Sequence, residues 1–141
     1  VEVESMLVNG TLKVKDLPDM WNSLMKKYLD LNVPDDSVGV LQDIHWSGGQ
    51  FGTFCNYTIG NVMAAQLMDH MKINDKNIQS SLDVANYKPV LEWLTKNIHQ
   101  HGRRYSRNEL LKLSTGRTLD PKPYLKYLQD KASEVYGVKF T

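Results

Sequence analysis

The sequence predicts an all-α protein: a compact multi-helix domain in which one long ordered loop, about residues 35–55, carries a cleft motif. Three observations predict this class. Apolar residues recur at three- and four-residue spacing along most of the chain, strand-type alternation is close to absent, and helix start and stop signals punctuate the periodic stretches. The 141 residues read as a single helical domain, 1–141, large enough to bury one core without staples.

Val1, Glu4, Leu7 and Val8 sit at helical spacing, and Asn9-Gly10 stops that segment. It has no start signal, as if a longer helix had been cut through, so the chain is expected to be a piece of something longer. Asp16 then offers an N-cap with Pro18 in the first turn. Leu17, Met20, Trp21, Leu24, Met25, Tyr28 and Leu29 form an amphipathic stripe that Val33-Pro34 is expected to end. From Asp35 to Thr53 no period is sustained. Loops this long are uncommon unless functional or disordered, and Leu41, Ile44, Trp46 and Phe51 argue against disorder.

From Tyr57 the pattern returns with Ile59, Val62, Met63, Leu67 and Met71, widened by Ala64 and Ala65 into a helix expected to be buried on most sides. Asp75 caps a short helix reaching Leu82. Asn86 opens the next, with Tyr87, Val90, Leu91, Leu94 and Ile98 on its stripe and Gly102 as its stop. Ser106-Arg107-Asn108-Glu109 matches a capping box ahead of Leu110, Leu111 and Leu113, and Gly116 ends that helix. Asp120-Pro121 begins the last helix, expected to bury Tyr124, Leu125, Leu128, Ala132 and Val135 before Gly137.

Hydrophobic residues at 41% and charged residues at 23% are ordinary for a soluble globular protein. A formal net charge of +1 gives no global reason to expect nucleic acid or a membrane surface as partner. No run approaches the roughly 18 apolar residues of a membrane span. The single cysteine, Cys55, excludes an internal disulfide framework and fits a reducing, cytoplasmic setting. Val1-Glu2-Val3-Glu4 carries two acids and no basic n-region, unlike a signal peptide.

The densest chemistry lies in Gly39–Trp46, G-V-L-Q-D-I-H-W, followed by Ser47-Gly48-Gly49-Gln50-Phe51-Gly52. Gln42, Asp43, His45 and Trp46 are a poor core filling, because each buried polar atom needs a partner, and a good cleft lining. His45 has two readings: a proton or hydrogen-bond donor whose tautomer Asp43 fixes, or a residue that pins its loop to backbone. Tyr57 likewise either faces the loop with its hydroxyl or packs with a backbone partner. Cys55 reads as a small buried filler rather than a nucleophile.

A metal site is not expected from these residues alone. His99 and His101 are two apart, about 200° around a helix, and no two histidines at i and i+4 bracket a glutamate. His70 shares the stripe of Met63 and Leu67 and reads as a core histidine. Arg103 and Arg104, with Lys96, His99 and His101, read as a solvated cationic helix end. The glycines at 48, 49 and 52 match neither a dinucleotide fingerprint nor a P-loop.

Gly39–Trp46, the glycine turn and then F-x-x-Y-T-I-G-N-x-x-A-A-Q together resemble the Taq-type thermostable metallocarboxypeptidases, HEXXH zincins that remove C-terminal amino acids from peptides. Gly39, Gln42, Asp43, His45 and Trp46 match that family's G-x-x-Q-D-x-H-W motif position for position. L-V-N-G-T-L-K-V-K-D-L-P-D-M-W-N, E-W-L-T-K-N-I-H-Q-H-G and T-G-R-T-L with Y-L-K-Y-L look like further parts of the same family. Members run to about three times this length, beyond what one core usually serves. Their HEXXH, third-ligand glutamate and I-R-x-x-A-D motif lie upstream of what matches, so the resemblance implies a C-terminal portion whose zinc ligands are outside this chain.

In the family's scheme a zinc-bound water attacks the last peptide bond. The resemblance implies that this portion supplies the opposite wall, with His45 and Tyr57 as catalytic donors. His45 would serve the carbonyl oxygen or the substrate terminus, and Gly39, Gln42, Asp43 and Trp46 would shape the substrate-binding surface. It implies a peptide with a free C-terminus as substrate, the N-terminal part of the same enzyme as partner, a homodimer, and inactivity of the chain alone. The family reads G-Y-F-P-[S/T]-Y where this chain has Gly52-Thr53-Phe54-Cys55-Asn56-Tyr57, so a tyrosine gives way to Thr53 and a proline to Cys55. The competing class is a non-enzymatic helical module that binds peptides or a partner protein. A self-sufficient hydrolase using His45 and Cys55 lacks a complete constellation.

Overall fold

The structure, a computed structural model, describes residues 1–140. It is all-α, as the sequence predicts. The helices are α1 (Glu2–Val8), α2 (Leu17–Leu29), α3 (Phe54–Asn74), α4 (Asn77–Asp83), α5 (Lys88–Asn97), α6 (Arg107–Thr115) and α7 (Lys122–Tyr136), with no strand among the described residues. Short 3-10 turns occupy Val14–Asp16, Asp36–Val38, Val40–Gln42 and His99–His101. No helix is long and apolar enough to cross a membrane. The residues gather into two compact units, Val1–Tyr57 and the chain from Thr58 onward, divided within α3.

In the first unit α1 turns Val3 and Glu4 inward, while Val1 and Val8 are exposed. The Val1/Val8 spacing misplaces the inner edge because two turns of helix leave the end residues outside the packed face. Leu12 and Val40 join Val3 in the small core. In α2 Asp16 takes the N-cap position without a side-chain capping bond. The helix stops earlier than Val33-Pro34, because Asp30 turns left-handed (φ 54) and donates its N–H to the Lys26 carbonyl at 3.0 Å. Met20, Trp21, Leu24 and Met25 are half-buried, whereas Tyr28 and Leu29 at the end of the stripe are exposed.

In the second unit Ile78 of α4 and Leu111 of α6 are enclosed, and Val62 and Met71 of α3 are buried. α3 is less enclosed than its apolar content suggests: Gly60, Asn61 and Ala64 are exposed. Its one fully buried side chain is polar. Gln66 donates to the Thr118 carbonyl at 2.9 Å and to Thr115 Oγ1 at 3.4 Å, and its oxygen accepts the Asp120 N–H at 2.9 Å. These bonds satisfy both ends of the amide and fix the loop between α6 and α7.

The sequence's stop and start signals operate in part as read, and α5 ends at Asn97, with a 3-10 turn intervening before Gly102. Ser106 and Glu109 form both bonds of the capping box ahead of α6, and Gly116 ends it at φ 75. Asp75, Asn86 and Asp120 each stand one residue ahead of the N-cap position and accept the N–H of the residue two further on, at 2.9, 3.2 and 3.0 Å. The stripe of α7 departs from expectation: no residue of the helix is fully buried, and Leu125, Leu128 and Val135 are 53%, 43% and 55% exposed. The spacing specifies an amphipathic helix but not what covers it. Within the second unit little does.

Candidate active site

The motif loop is built by local bonds. Asp35 Oδ1 accepts the Ser37 N–H at 2.9 Å and also the Ser37 hydroxyl, and these bonds hold the Asp35 carboxyl below its ordinary value of 3.8. Gly39 comes next, at a close approach: a Cβ there would lie 2.6 Å from Val33 Cγ1 and 3.1 Å from the Asp35 carbonyl oxygen. A side chain here would have to displace Val33 Cγ1 and press on the Asp35 carbonyl, so glycine suits the turn beneath the 33–35 segment. Buried Val40 anchors the second 3-10 turn, and the Gln42 amide donates back to the Ser37 carbonyl.

Asp43 organises the segment from Ile44 to Trp46. Its Oδ1 accepts the backbone N–H groups of His45 and Trp46 at 3.1 and 2.9 Å. Its Oδ2 lies 3.2 Å from His45 Nδ1, and the Asp43 side chain is only 6% exposed. The carboxylate can only accept, so Nδ1 carries its proton toward Asp43. The other nitrogen, Nε2, lies 3.2 Å from the Tyr57 hydroxyl oxygen. Phe54 flanks the imidazole with ring centroids 4.8 Å apart. The His45 side chain is 22% exposed, and Tyr57 is 62% exposed. Asp43, His45 and Tyr57 thus form a hydrogen-bonded row running from a buried carboxylate to a phenol in solvent. The His45 ring nitrogens meet Asp43 and Tyr57, and the Tyr57 hydroxyl faces the motif loop.

The turn between His45 and α3 closes on itself. The His45 carbonyl accepts from Gly48 and Gln50 at 3.1 and 2.8 Å, and Ser47 Oγ donates to the Ile44 carbonyl at 3.0 Å. Gly52, at φ +77, reverses the chain into α3, a conformation that glycine adopts without steric cost. Its N–H donates to Glu4 Oε1 at 2.7 Å, and the Trp46 indole N–H reaches the same oxygen at 3.4 Å. Sequence reasoning misses Glu4 as part of the site. Its signal is an acid on the apolar stripe of the first helix, and only the fold shows what it grips.

Trp46 stands edge-on to Trp21 and Phe54, with centroids 6.2 and 6.0 Å apart. With Leu24 and Met25 these rings line an apolar groove of about 430 Å³. Cys55 is exposed rather than a buried filler, because the first turn of α3 faces it outward, and its thiol donates to the Gly52 carbonyl at 3.4 Å. His70 is half-buried against Trp93, with centroids 5.8 Å apart, and His101 stands edge-on to Tyr105. Among the described residues no three His, Cys, Asp or Glu side chains converge to hold a metal ion.

The family model described as Carboxypeptidase Taq (M32) metallopeptidase matches residues 1–132. Carboxypeptidase 1 of Bacillus subtilis is 35% identical over 135 residues, covering 96% of this chain and 27% of that protein. Thermostable carboxypeptidase 1 of Pyrococcus furiosus is 36% identical over 130 residues, covering 92% of this chain and 26% of that protein. The crystal structure of the M32 carboxypeptidase from Deinococcus radiodurans R1 aligns with 97% of this chain and 28% of its own, at a TM-score of 0.90 and 38% identity. The chain therefore spans about a quarter of the length of the curated relatives it matches. With a family match over nearly its full length and the helical fold in common, the chain belongs to the M32, Taq-type metallocarboxypeptidase family.

Proposed function

We propose that this chain is the C-terminal portion of a metal-dependent carboxypeptidase that hydrolyses the last peptide bond of substrates with a free C-terminus. In this reading it supplies the substrate-facing wall, with His45 and Tyr57 as the catalytic donors. The observation that carries it is the row Asp43–His45–Tyr57 within the motif G-x-x-Q-D-x-H-W. The family implies a metal ion, and we take it to be zinc. No cluster of three ligating side chains occurs among the described residues, and this reading assigns the ligands to polypeptide outside this chain.

Each residue of the row has its own task. With neutral His45 the Nδ1–H donates to Asp43, and Nε2 accepts the Tyr57 O–H. With imidazolium the Nε2–H donates to the phenol oxygen instead, which frees the Tyr57 O–H to donate outward. The exposed phenol then meets the carbonyl oxygen of the scissile bond, where negative charge develops. Asp43 holds the ring orientation in both states. Gln42, Trp46 and Gly39 hold the loop that presents the pair, which forms part of the substrate-binding surface.

The partners in this reading are the peptide substrate, the N-terminal part of the same enzyme and a second copy in a homodimer, in the cytoplasm. The isolated chain is expected to be inactive. The test joins this chain to the preceding part of its reading frame and measures release of the C-terminal residue from a blocked dipeptide, with and without zinc. Hydrolysis by the joined enzyme, lost in His45→Ala and absent from the chain alone, supports the reading. Hydrolysis undiminished in His45→Ala, or zinc-dependent hydrolysis by the chain alone, overturns it. A second reading, a peptide-binding helical module, draws on the apolar groove of the first unit and predicts peptide binding with no hydrolysis after joining.

A further inference from the structure

We infer that Glu4 is a positioning residue of the His45–Tyr57 pair, an inference that rests on the proposed function for its catalytic meaning but not for its geometry. His45 and Tyr57 meet across a turn rich in glycine, and the turn's own bonds close only part of it. Gly48, Gly49, Gln50 and Phe51 donate to carbonyls within the turn. The Gly52 N–H donates instead to the carboxylate of Glu4, 48 residues earlier. The same oxygen takes the Trp46 indole N–H.

Glu4 therefore touches the turn at both ends: at the residue after His45 and at the residue that reverses the chain into α3. Phe54 and Tyr57 come next, in the first turn of that helix. The grip fixes the separation between the loop segment that carries the imidazole and the helix that carries the phenol. Glu4 is 6% exposed. A carboxylate so enclosed is costly unless hydrogen-bonded, and no Lys or Arg ion pair is formed with it among the described residues. The oxygen facing the turn takes both of its hydrogen bonds from the site loop. An apolar residue would fill this place on the helix at lower cost, so the acid is explained by what it holds.

The experiment compares Glu4→Gln, Glu4→Asp and Glu4→Ala in the full chain by NMR, reading Gly52 amide exchange and the His45 imidazole nitrogen signals. Glutamine keeps an oxygen at the same reach, so it should retain Gly52 protection and the His45 Nδ1–H signature. Aspartate keeps the charge but falls short by a methylene, and alanine has no acceptor. Both should speed Gly52 exchange about tenfold or more and move the His45 nitrogens toward tautomer averaging. Circular dichroism establishes that each variant remains helical.

Unchanged His45 signals in both Asp and Ala variants overturn the inference, as does loss of helical structure in all three, which would make Glu4 a residue of stability alone. In the enzyme joined to its preceding part, Glu4→Ala should lower kcat more than it raises KM, and Glu4→Gln should restore kcat. If His45→Ala leaves hydrolysis intact while the NMR pattern holds, the catalytic reading fails and the positioning of the pair by Glu4 stands.

Discussion

The Asp120 backbone N–H donates to the side-chain oxygen of Gln66 at 2.9 Å, joining residues 54 positions apart. The amide nitrogen of the same side chain donates to the Thr118 carbonyl. Gln66 is fully enclosed, so the loop entering α7 depends on a polar group with no access to water. Gln66→Leu keeps the bulk but orphans a donor and an acceptor. We expect a loss of about 2–4 kcal/mol of unfolding free energy, measured by urea denaturation. A loss under about 0.5 kcal/mol would show that water replaces the amide.

Tyr57→Phe separates ring from hydroxyl. The ring stands edge-on to His45 with centroids 6.0 Å apart, while the hydroxyl faces solvent and Nε2. Stability should change by less than about 0.5 kcal/mol, because the deleted group lies on an exposed side chain. In the joined enzyme, kcat for a blocked dipeptide should fall about 100-fold with KM altered little. An unaltered kcat would remove Tyr57 from the chemistry.

The capping box makes α6 sensitive to acid. Hydrogen bonds from the Ser106 side chain and then its backbone hold the Glu109 carboxyl below its ordinary value of 4.5. A carboxyl depressed by folding binds its proton more readily when unfolded. Its stabilisation is therefore complete above 4.5 and is lost as pH falls through the lower folded value. Glu109→Gln should flatten this acid limb without altering the neutral plateau's pH dependence. Denaturation midpoints followed downward from about pH 6, above the carboxylate range, check it.

Ala85 is held at φ 55, in the left-handed region, where its Cβ is strained. The conformation is imposed by the turn after α4, in which the Asn86 N–H donates to the Ser81 carbonyl at 2.8 Å. Ala85→Gly should stabilise the protein by about 0.5–1 kcal/mol, the relieved strain less the added freedom of the unfolded chain, read from the thermal midpoint. Destabilisation would mean that the entropy of a freer unfolded chain outweighs the relieved strain.

The sequence makes the helices legible where local chemistry decides them. Ser106 and Glu109 form the capping box that their spacing announces, and Gly116 and Gly137 stop their helices left-handed. Asp43 and His45 are legible as a pair because two positions suffice for a carboxylate to reach both a backbone N–H and a ring nitrogen. Tyr57 is legible as a candidate through its place at the start of a helix and through the family motif. The features that stay hidden depend on distant partners. The stripe of α7 specifies an inner face without saying that it is covered, and Leu125 and Val135 remain exposed. Gln66 and Glu4 interrupt apolar stripes for reasons found 52 and 48 residues away. Cys55 reads as a filler by residue type alone, and its exposure comes from its place in the opening turn of α3.

The way Asp43 is surrounded also decides what an amide in its place would change. Each contact it makes comes from a hydrogen pointing at it: two from the main chain and one from the imidazole. Asparagine is nearly the same shape and its oxygen can keep both main-chain bonds, but its NH2 then faces Nδ1 and admits only the tautomer protonated at Nε2. Nε2 would then donate to the Tyr57 oxygen instead of accepting its O–H. Drift to the amide would thereby keep the turn while reversing the sense of the bond between His45 and Tyr57.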